Sequence, residues 1–158
     1  MSVRTGIGYD SHRLLSGRPL VLGGVALESE LGLDGHSDAD VLTHAVIDAL
    51  LGAAGLGDIG MHFPDSDERW RGSDSIELLC AAVAVVRAAG YTIVNVDSTV
   101  ALEAPKLGGA RERMRERLAK ALGVDPSAVN VKATTGESIG FVGRGEGAAA
   151  LAIVTLDG

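Results

Sequence analysis

Asp10, His12 and His44 are the residues whose types and spacing most readily support chemistry. Val3 to Tyr9 reads as a first strand, with Asp10 and His12 at its end. Side chains on a strand repeat every second residue, so the two share a face. His44 falls about one and a half turns into a helical pattern. One carboxylate and two imidazoles form a donor set for zinc, and three protein ligands leave a fourth position open, as in catalytic rather than closed structural sites. The same residues also fit a hydrogen-bonded pair in a turn and a partly buried helix histidine, so spacing alone leaves both readings open. Asp48, one turn beyond His44, reads either as a partner orienting its ring or as a solvated helix charge. His36 reads as a donor to an anion at the helix N-terminus, where free N–H groups favour negative charge, or as a capping or loop residue.

Two loop regions carry further polar groups. In Gly57-Asp58-Ile59-Gly60 and Phe63-Pro64-Asp65-Ser66-Asp67, the carboxylates of Asp58 and Asp65 suit sugar hydroxyls. Ordinary turn chemistry explains them equally well. Phe63 and Phe141 are the only phenylalanines, and both fall in loops, as anchors or as part of an interface or apolar cavity. Lys132-Ala133-Thr134-Thr135-Gly136-Glu137 leaves a strand with hydroxyls and backbone N–H groups able to cradle phosphate, and Glu137 could hold a divalent cation beside it. This is no Walker A loop, because its lysine precedes the turn. The glycines from Gly140 to Gly147 precede a strand rather than a helix, so they make no dinucleotide fingerprint. Arg144 and Glu146 fit a structural pair or an anion contact. The basic run Arg111 to Lys120 is interleaved with Glu112 and Glu116 and reads as a solvated helix face.

The elements that must position these groups are legible from periodicity. Pro19 to Leu27 reads as a hairpin around Gly23-Gly24. Asp38 to Ala54 has apolar residues at three- and four-residue steps. Ser37 is its expected N-cap, with Asp38 and Asp40 in the first turn. Residues 55 to 72 are expected to be loop. Asp74 and Glu77 open a second helix at capping-box spacing, and Gly90 ends it. A strand over Tyr91 to Glu103, a helix over Gly109 to Leu122, and strands over Val129 to Ala133 and Ala148 to Leu156 complete the chain. The expected class is α+β: two layers, a sheet with helices on one face, plus a small hairpin.

Composition narrows the function. The 158 residues form one expected domain, 1–158, and 46% hydrophobic residues supply a core. No apolar run is long enough to span a bilayer, and the N-terminus lacks the pattern of a secretory signal. The single cysteine, Cys80, excludes an internal disulfide and fits a reducing, cytoplasmic setting. A net charge of −7 and 3% aromatic residues argue against a nucleic-acid partner. An anionic substrate would need metal ions to offset its charge locally. The 22 glycines are not periodic and cluster in short loops, as where backbone is held close to something else.

Taken together, these signals resemble one family, the 2-C-methyl-D-erythritol 2,4-cyclodiphosphate synthases of the non-mevalonate isoprenoid pathway. The resemblance runs along nearly the whole chain. It is carried by Gly8-Tyr9-Asp10-Ser11-His12, His36-Ser37-Asp38-Ala39-Asp40 through His44, and Asp48-Ala49-Leu50-Leu51-Gly52-Ala53. Gly57-Asp58-Ile59-Gly60, Phe63-Pro64-Asp65, Ala104-Pro105-Lys106, Lys132-Ala133-Thr134-Thr135 and Gly143-Arg144-Gly145-Glu146-Gly147 carry the rest. It implies a mixed four-stranded sheet, a homotrimer, and active sites between subunits. The implied reaction is intramolecular phosphoryl transfer: the 2-phosphate of 4-diphosphocytidyl-2-C-methyl-D-erythritol 2-phosphate attacks the β-phosphorus, and CMP leaves.

By the same resemblance, Asp10, His12 and His44 hold Zn2+, and Glu137 reaches a second cation, Mg2+ or Mn2+. His36 and Thr135 stabilise the transition state, and Ser37 lies beside the methylerythritol. Asp58, Ile59 and Gly60, with the Phe63 to Asp67 loop (Pro64, Asp65, Ser66), bind substrate, Asp58 and Gly60 taking the ribose. Lys106 within Leu102 to Gly108, together with Thr134, lines a cytosine pocket of the adjoining subunit, with Gly136 nearby. Phe141 and Arg144 face a central cavity suited to an isoprenoid diphosphate. Gly136, Ser138 and Ile139 occupy positions the family varies, His62 has no assigned role, and no fused cytidylyltransferase is expected. Two other readings of the residues stand beside this one: a zinc phosphoesterase that delivers water, and a non-enzymatic isoprenoid-diphosphate-binding trimer with a structural metal.

Overall fold

Alternation along the first strand organises the molecule. The structure, a computed structural model, describes residues 2–158. In β1 (Val3–Ser16), Gly6, Gly8, Asp10, His12 and Leu14 turn inward, while Ile7, Tyr9, Ser11 and Arg13 are exposed. The inward glycines let a helix lie directly on the strand. A Cβ at Gly8 would collide with the Ala45 carbonyl, and one at Gly6 with the backbone of Ala49 and Ala53. All three alanines belong to α1 (Val41–Ala54), whose helix-to-strand approach is therefore set by missing side chains.

Small residues continue this arrangement in the neighbouring strand. β7 (Gly147–Asp157) pairs antiparallel with β1, placing Ala150 opposite Asp10 and Ala148 opposite His12. β5 (Thr92–Ala101) is antiparallel to β7, and β6 (Val129–Thr134) is parallel to β5. The β5–β6 connection crosses through α4 (Ala110–Leu122), as parallel pairing requires. α1, α3 (Ser75–Ala88) and α4 pack as one layer, and Leu42, Leu50, Leu79, Met114 and Leu118 are fully buried between them and the sheet. The hairpin β2 (Leu20–Leu22) and β3 (Val25–Leu27) closes one end.

The mixed α+β, two-layer reading holds, but several details change. The large sheet has five strands, in the order β4-β1-β7-β5-β6. The extra strand is β4 (Leu31–Leu33), too short to show a period in the sequence. β1 runs on to Ser16, so Asp10 and His12 lie within the strand instead of at its end.

The first helix starts at Val41, not Asp38, and its N-cap is Asp40, which accepts a hydrogen bond from Thr43 N. Ser37 therefore does not cap it. Ala39 takes a left-handed φ of 55°, which breaks the helical path just before the cap. The expected loops also contain short helices, α2 (Ile59–His62) and α5 (Gly140–Gly143), and 310 turns at Glu68–Trp70 and Pro126–Ala128. The second helix follows expectation in its position, with Gly90 in a left-handed turn just beyond it, but Asp74 caps it by accepting from Ile76 N instead of forming a capping box with Glu77. Among the described residues, no helix is long and apolar enough to cross a membrane.

Candidate metal centre and substrate cleft

The contact between β1 and α1 creates the centre. With the Ala45 backbone seated on Gly8, the adjacent His44 meets Asp10 from above the sheet. His44 Nδ1 is 3.0 Å and His12 Nε2 is 3.1 Å from the same oxygen, Asp10 Oδ2. One ligand atom from each of the three residues lies within 4.8 Å of the others, the spacing of groups able to share a metal ion. The two rings stand edge to face, with centroids 5.7 Å apart.

The second nitrogen of each ring is also engaged. His12 Nδ1 lies 2.7 Å from the Asp34 carbonyl, which can only accept, so Nδ1 carries a proton and Nε2 is the nitrogen turned toward Asp10. His44 Nε2 lies 2.8 Å from Ser75 Oγ and 3.2 Å from Ser37 Oγ. Outer partners of this kind orient metal-binding imidazoles. The donor chemistry and its support therefore fit a divalent cation.

Electrostatics point the same way. Burial acts to raise the Asp10 carboxyl, but hydrogen bonds and charge attraction from His12 and His44 outweigh it and hold the group below the usual carboxylate range. The hydrogen bond to Asp10 raises the His12 imidazole despite the opposing effect of burial. The pocket thus favours positive charge beside a carboxylate that stays ionised.

These ligands line a cleft of about 350 Å³ with His36, Ser37, Ile59, Gly60, Phe63, Pro64 and Asp65. Asp58 caps α2 by accepting from Met61 N at 3.0 Å and remains exposed. Asp48 does not orient His44. Its Oδ1 accepts from Ile59 N at 2.8 Å and fastens α2 beside the cleft. Phe63 packs edge-on against Trp70, ring centroids 5.0 Å apart, and so anchors its loop. His62 Nε2 lies 2.7 Å from the Leu56 carbonyl and closes the same loop. Asp67 turns away to cap the Glu68–Trp70 turn and pair with Arg69 at 2.6 Å, while Ser66 is exposed beside it. His36 precedes the helix instead of capping it, and its Nε2 is buried without a hydrogen-bond partner among the described residues.

Other expected site residues gather elsewhere. Lys106, Thr134 and Thr135 line a separate cleft of about 200 Å³ with Leu102, Glu103 and Pro105. Glu137 is exposed in the next loop, at a left-handed φ of 52°, followed by Ser138 at 61°. Glu103 holds that loop by accepting from Gly136 N at 3.1 Å and Ser138 N at 3.2 Å. Phe141 lines a third hollow, of about 250 Å³, with Ser11, His12, Arg13 and Glu146. Arg144 is paired with Glu146 at 2.9 Å.

Reading by residue type missed Ser75, the Asp34 carbonyl, Trp70 and the loop-holding role of Glu103. A serine at the start of a helix and a backbone carbonyl carry no recognisable spacing. Asp38 was placed in the wrong setting, since it reaches α3 and not the first turn of α1.

Comparison with known proteins agrees with this geometry. Residues 3–157 match the model of the YgbB family. A 2-C-methyl-D-erythritol 2,4-cyclodiphosphate synthase of Solibacter usitatus is 57% identical over 155 residues, covering 98% of each chain. A solved 2C-methyl-D-erythritol-2,4-cyclodiphosphate synthase in its CDP-bound form is 40% identical with a TM-score of 0.90, covering 98% of this chain and 100% of that one. The solved bifunctional IspDF of Campylobacter jejuni is 45% identical with a TM-score of 0.94, covering 98% of this chain but 42% of its own. With Asp10, His12 and His44 converging beside a cleft and the whole fold matched, the chain belongs to the YgbB family, that of the 2-C-methyl-D-erythritol 2,4-cyclodiphosphate synthases.

Proposed function

We infer that the chain converts 4-diphosphocytidyl-2-C-methyl-D-erythritol 2-phosphate to 2-C-methyl-D-erythritol 2,4-cyclodiphosphate and CMP. The observation that carries this is the full-length match to synthases of that name, in a chain whose own Asp10, His12 and His44 converge. A 2-phosphate oxygen forms a bond to the β-phosphorus as the bond to the CMP oxygen breaks. The substrate supplies both nucleophile and leaving group, so the protein needs no covalent intermediate. Its task is to hold two anionic groups together.

Asp10, His12 and His44 would hold the divalent ion, zinc by the chemistry of its donors, and Glu137 a second one, Mg2+ or Mn2+. Bound there, such ions supply Lewis-acid neutralisation of phosphoryl charge. His36 and Thr135 face the reacting phosphates, and Ser37 the methylerythritol. Asp58 and Gly60 take the ribose, with Ile59, Phe63, Pro64 and Asp65 lining the substrate cleft beside them. Lys106, Thr134 and Gly136 hold the cytidine and diphosphate from another subunit.

That assignment requires copies of the chain to associate, as a homotrimer by the family resemblance, and two features support association. The metal cleft and the Lys106–Thr134–Thr135 cleft are separate within a single chain. The sheet face opposite the helices also exposes Ile7, Tyr9, Leu151 and Ile153, with Ile7 paired to Ile153 and Tyr9 to Leu151. An apolar surface of this kind suits burial between copies of the chain. In that assembly Phe141 and Arg144 would surround a central cavity able to take an isoprenoid diphosphate. A biosynthetic enzyme of this kind belongs in the cytoplasm.

Mass analysis of the products tests the reading. A cyclic diphosphate with equimolar CMP is expected. A linear product carrying one added water would replace cyclisation with hydrolysis.

A further inference from the structure

The neighbourhood of His44 contains two polar residues that the proposed reaction does not use. Ser75, the first residue of α3, is fully buried, and its Oγ lies 2.8 Å from His44 Nε2. Its hydroxyl donates to Asp38 Oδ1, and its backbone N–H donates to Asp38 Oδ2 at 2.9 Å. The Asp38 carboxylate therefore grips Ser75 at both ends.

The chain path makes this possible. With Ala39 left-handed, Asp38 turns toward α3, while Asp40 turns toward the hairpin, accepting from Gly23 N at 2.9 Å and Gly24 N at 2.8 Å. Adjacent polar residues thus secure opposite sides of the α1 N-terminus.

The direction of these hydrogen bonds has a chemical consequence. A neutral imidazole offering Nδ1 to a cation carries its proton on Nε2. That proton needs an acceptor. Ser75 Oγ can accept only if its own hydrogen is directed elsewhere, and Asp38 Oδ1 takes it. Ser37 Oγ is farther from Nε2, at 3.2 Å.

We propose that Ser75 and Asp38 are positioning residues for the metal: by accepting the Nε2 proton of His44 through Ser75, they fix the tautomer and ring orientation that leave Nδ1 free to bind a divalent cation. The inference rests on the metal reading above and adds a relay running from Asp38 through Ser75 to His44. It makes metal affinity depend on the junction between α1 and α3 as well as on the three ligands.

The test is zinc affinity, measured by chelator competition on the full-length protein, the Ser75→Ala variant and the Asp38→Asn variant. Ser75→Ala should weaken zinc binding about 10- to 100-fold, and Asp38→Asn by a smaller factor. A second readout is solvent exchange of the His44 Nε2 proton in the zinc-loaded protein, followed by 15N-edited NMR. It should be slow in the parent and faster in Ser75→Ala, a change that a purely structural serine would not produce. If Ser75→Ala does not fold, Asp38→Asn carries the test. Variants that bind zinc within twofold of the parent, with unchanged proton exchange, would overturn the relay while leaving the metal site standing. A parent that binds no zinc would overturn both.

Discussion

The metal corner and the loop after β6 are built on opposite principles. At the corner, every candidate ligand sits on a regular element. Asp10 and His12 are fixed by the β1–β7 register and His44 by α1, and Gly8 sets the distance between strand and helix. The loop carrying Glu137 leaves the edge strand, holds two successive non-glycine residues at positive φ, and is secured by the Glu103 carboxylate. Left-handed conformations at such residues cost about 1–3 kcal/mol each and persist only where surroundings enforce them. The corner is already assembled in one chain. The loop opens onto solvent.

Four perturbations probe this contrast. The largest effect belongs to the corner. His44→Ala should remove the tightly bound metal and lower kcat/KM by roughly 10³-fold or more, since Lewis-acid stabilisation is worth several kcal/mol. Elemental analysis with steady-state kinetics reads both, and undiminished turnover without metal would leave the corner catalytically irrelevant. Gly8→Ala should destabilise the fold by about 3 kcal/mol, because its Cβ meets the rigid Ala45 carbonyl. A denaturant midpoint equal to the parent's would mean that the helix is not locked onto the strand.

The loop should respond more gently. Glu137→Gln is expected to weaken magnesium dependence by about 10-fold while zinc content stays constant, since it removes one carboxylate charge from the proposed hard-cation site. Zinc loss in this variant would erase the proposed division between the two regions. The smallest effect lies on β6 itself, where Lys132 Nζ is 2.7 Å from Asp97 Oδ2 on an exposed surface. That hydrogen bond, with smaller help from Asn130, holds Asp97 below the ordinary carboxylate value against the opposing effect of burial. A depressed acid contributes stability above its unfolded value near pH ~4 and loses it as pH falls through the folded value. Lys132→Ala should therefore cost under about 1 kcal/mol at neutral pH, with the difference vanishing in acid. Denaturation curves at both pH values check the sign.

The sequence and the structure divide the explanation unevenly between these regions. Periodicity located the major helices, and the Asp74 cap and Gly90 end of the second were legible because caps act within a few residues. The true N-cap, Asp40, was hidden behind Ser37 and Asp38, which are equally good capping types. Only the left-handed Ala39 separates them. β4 was hidden because three residues show no usable period.

Residue type and spacing by themselves determined that Asp10 and His12 share a face and that His44 lies on a helix, and they left a cation-binding donor set as one of two open readings. The tertiary structure decided that the helix crosses the strand at Gly8, bringing His44 to Asp10, and that Ser75 and Asp34 engage the outer ring nitrogens. The physical reason is one of range. Alternation and helical period are local consequences of backbone geometry, whereas the meeting of distant residues depends on how closely two surfaces pack, which no single segment contains.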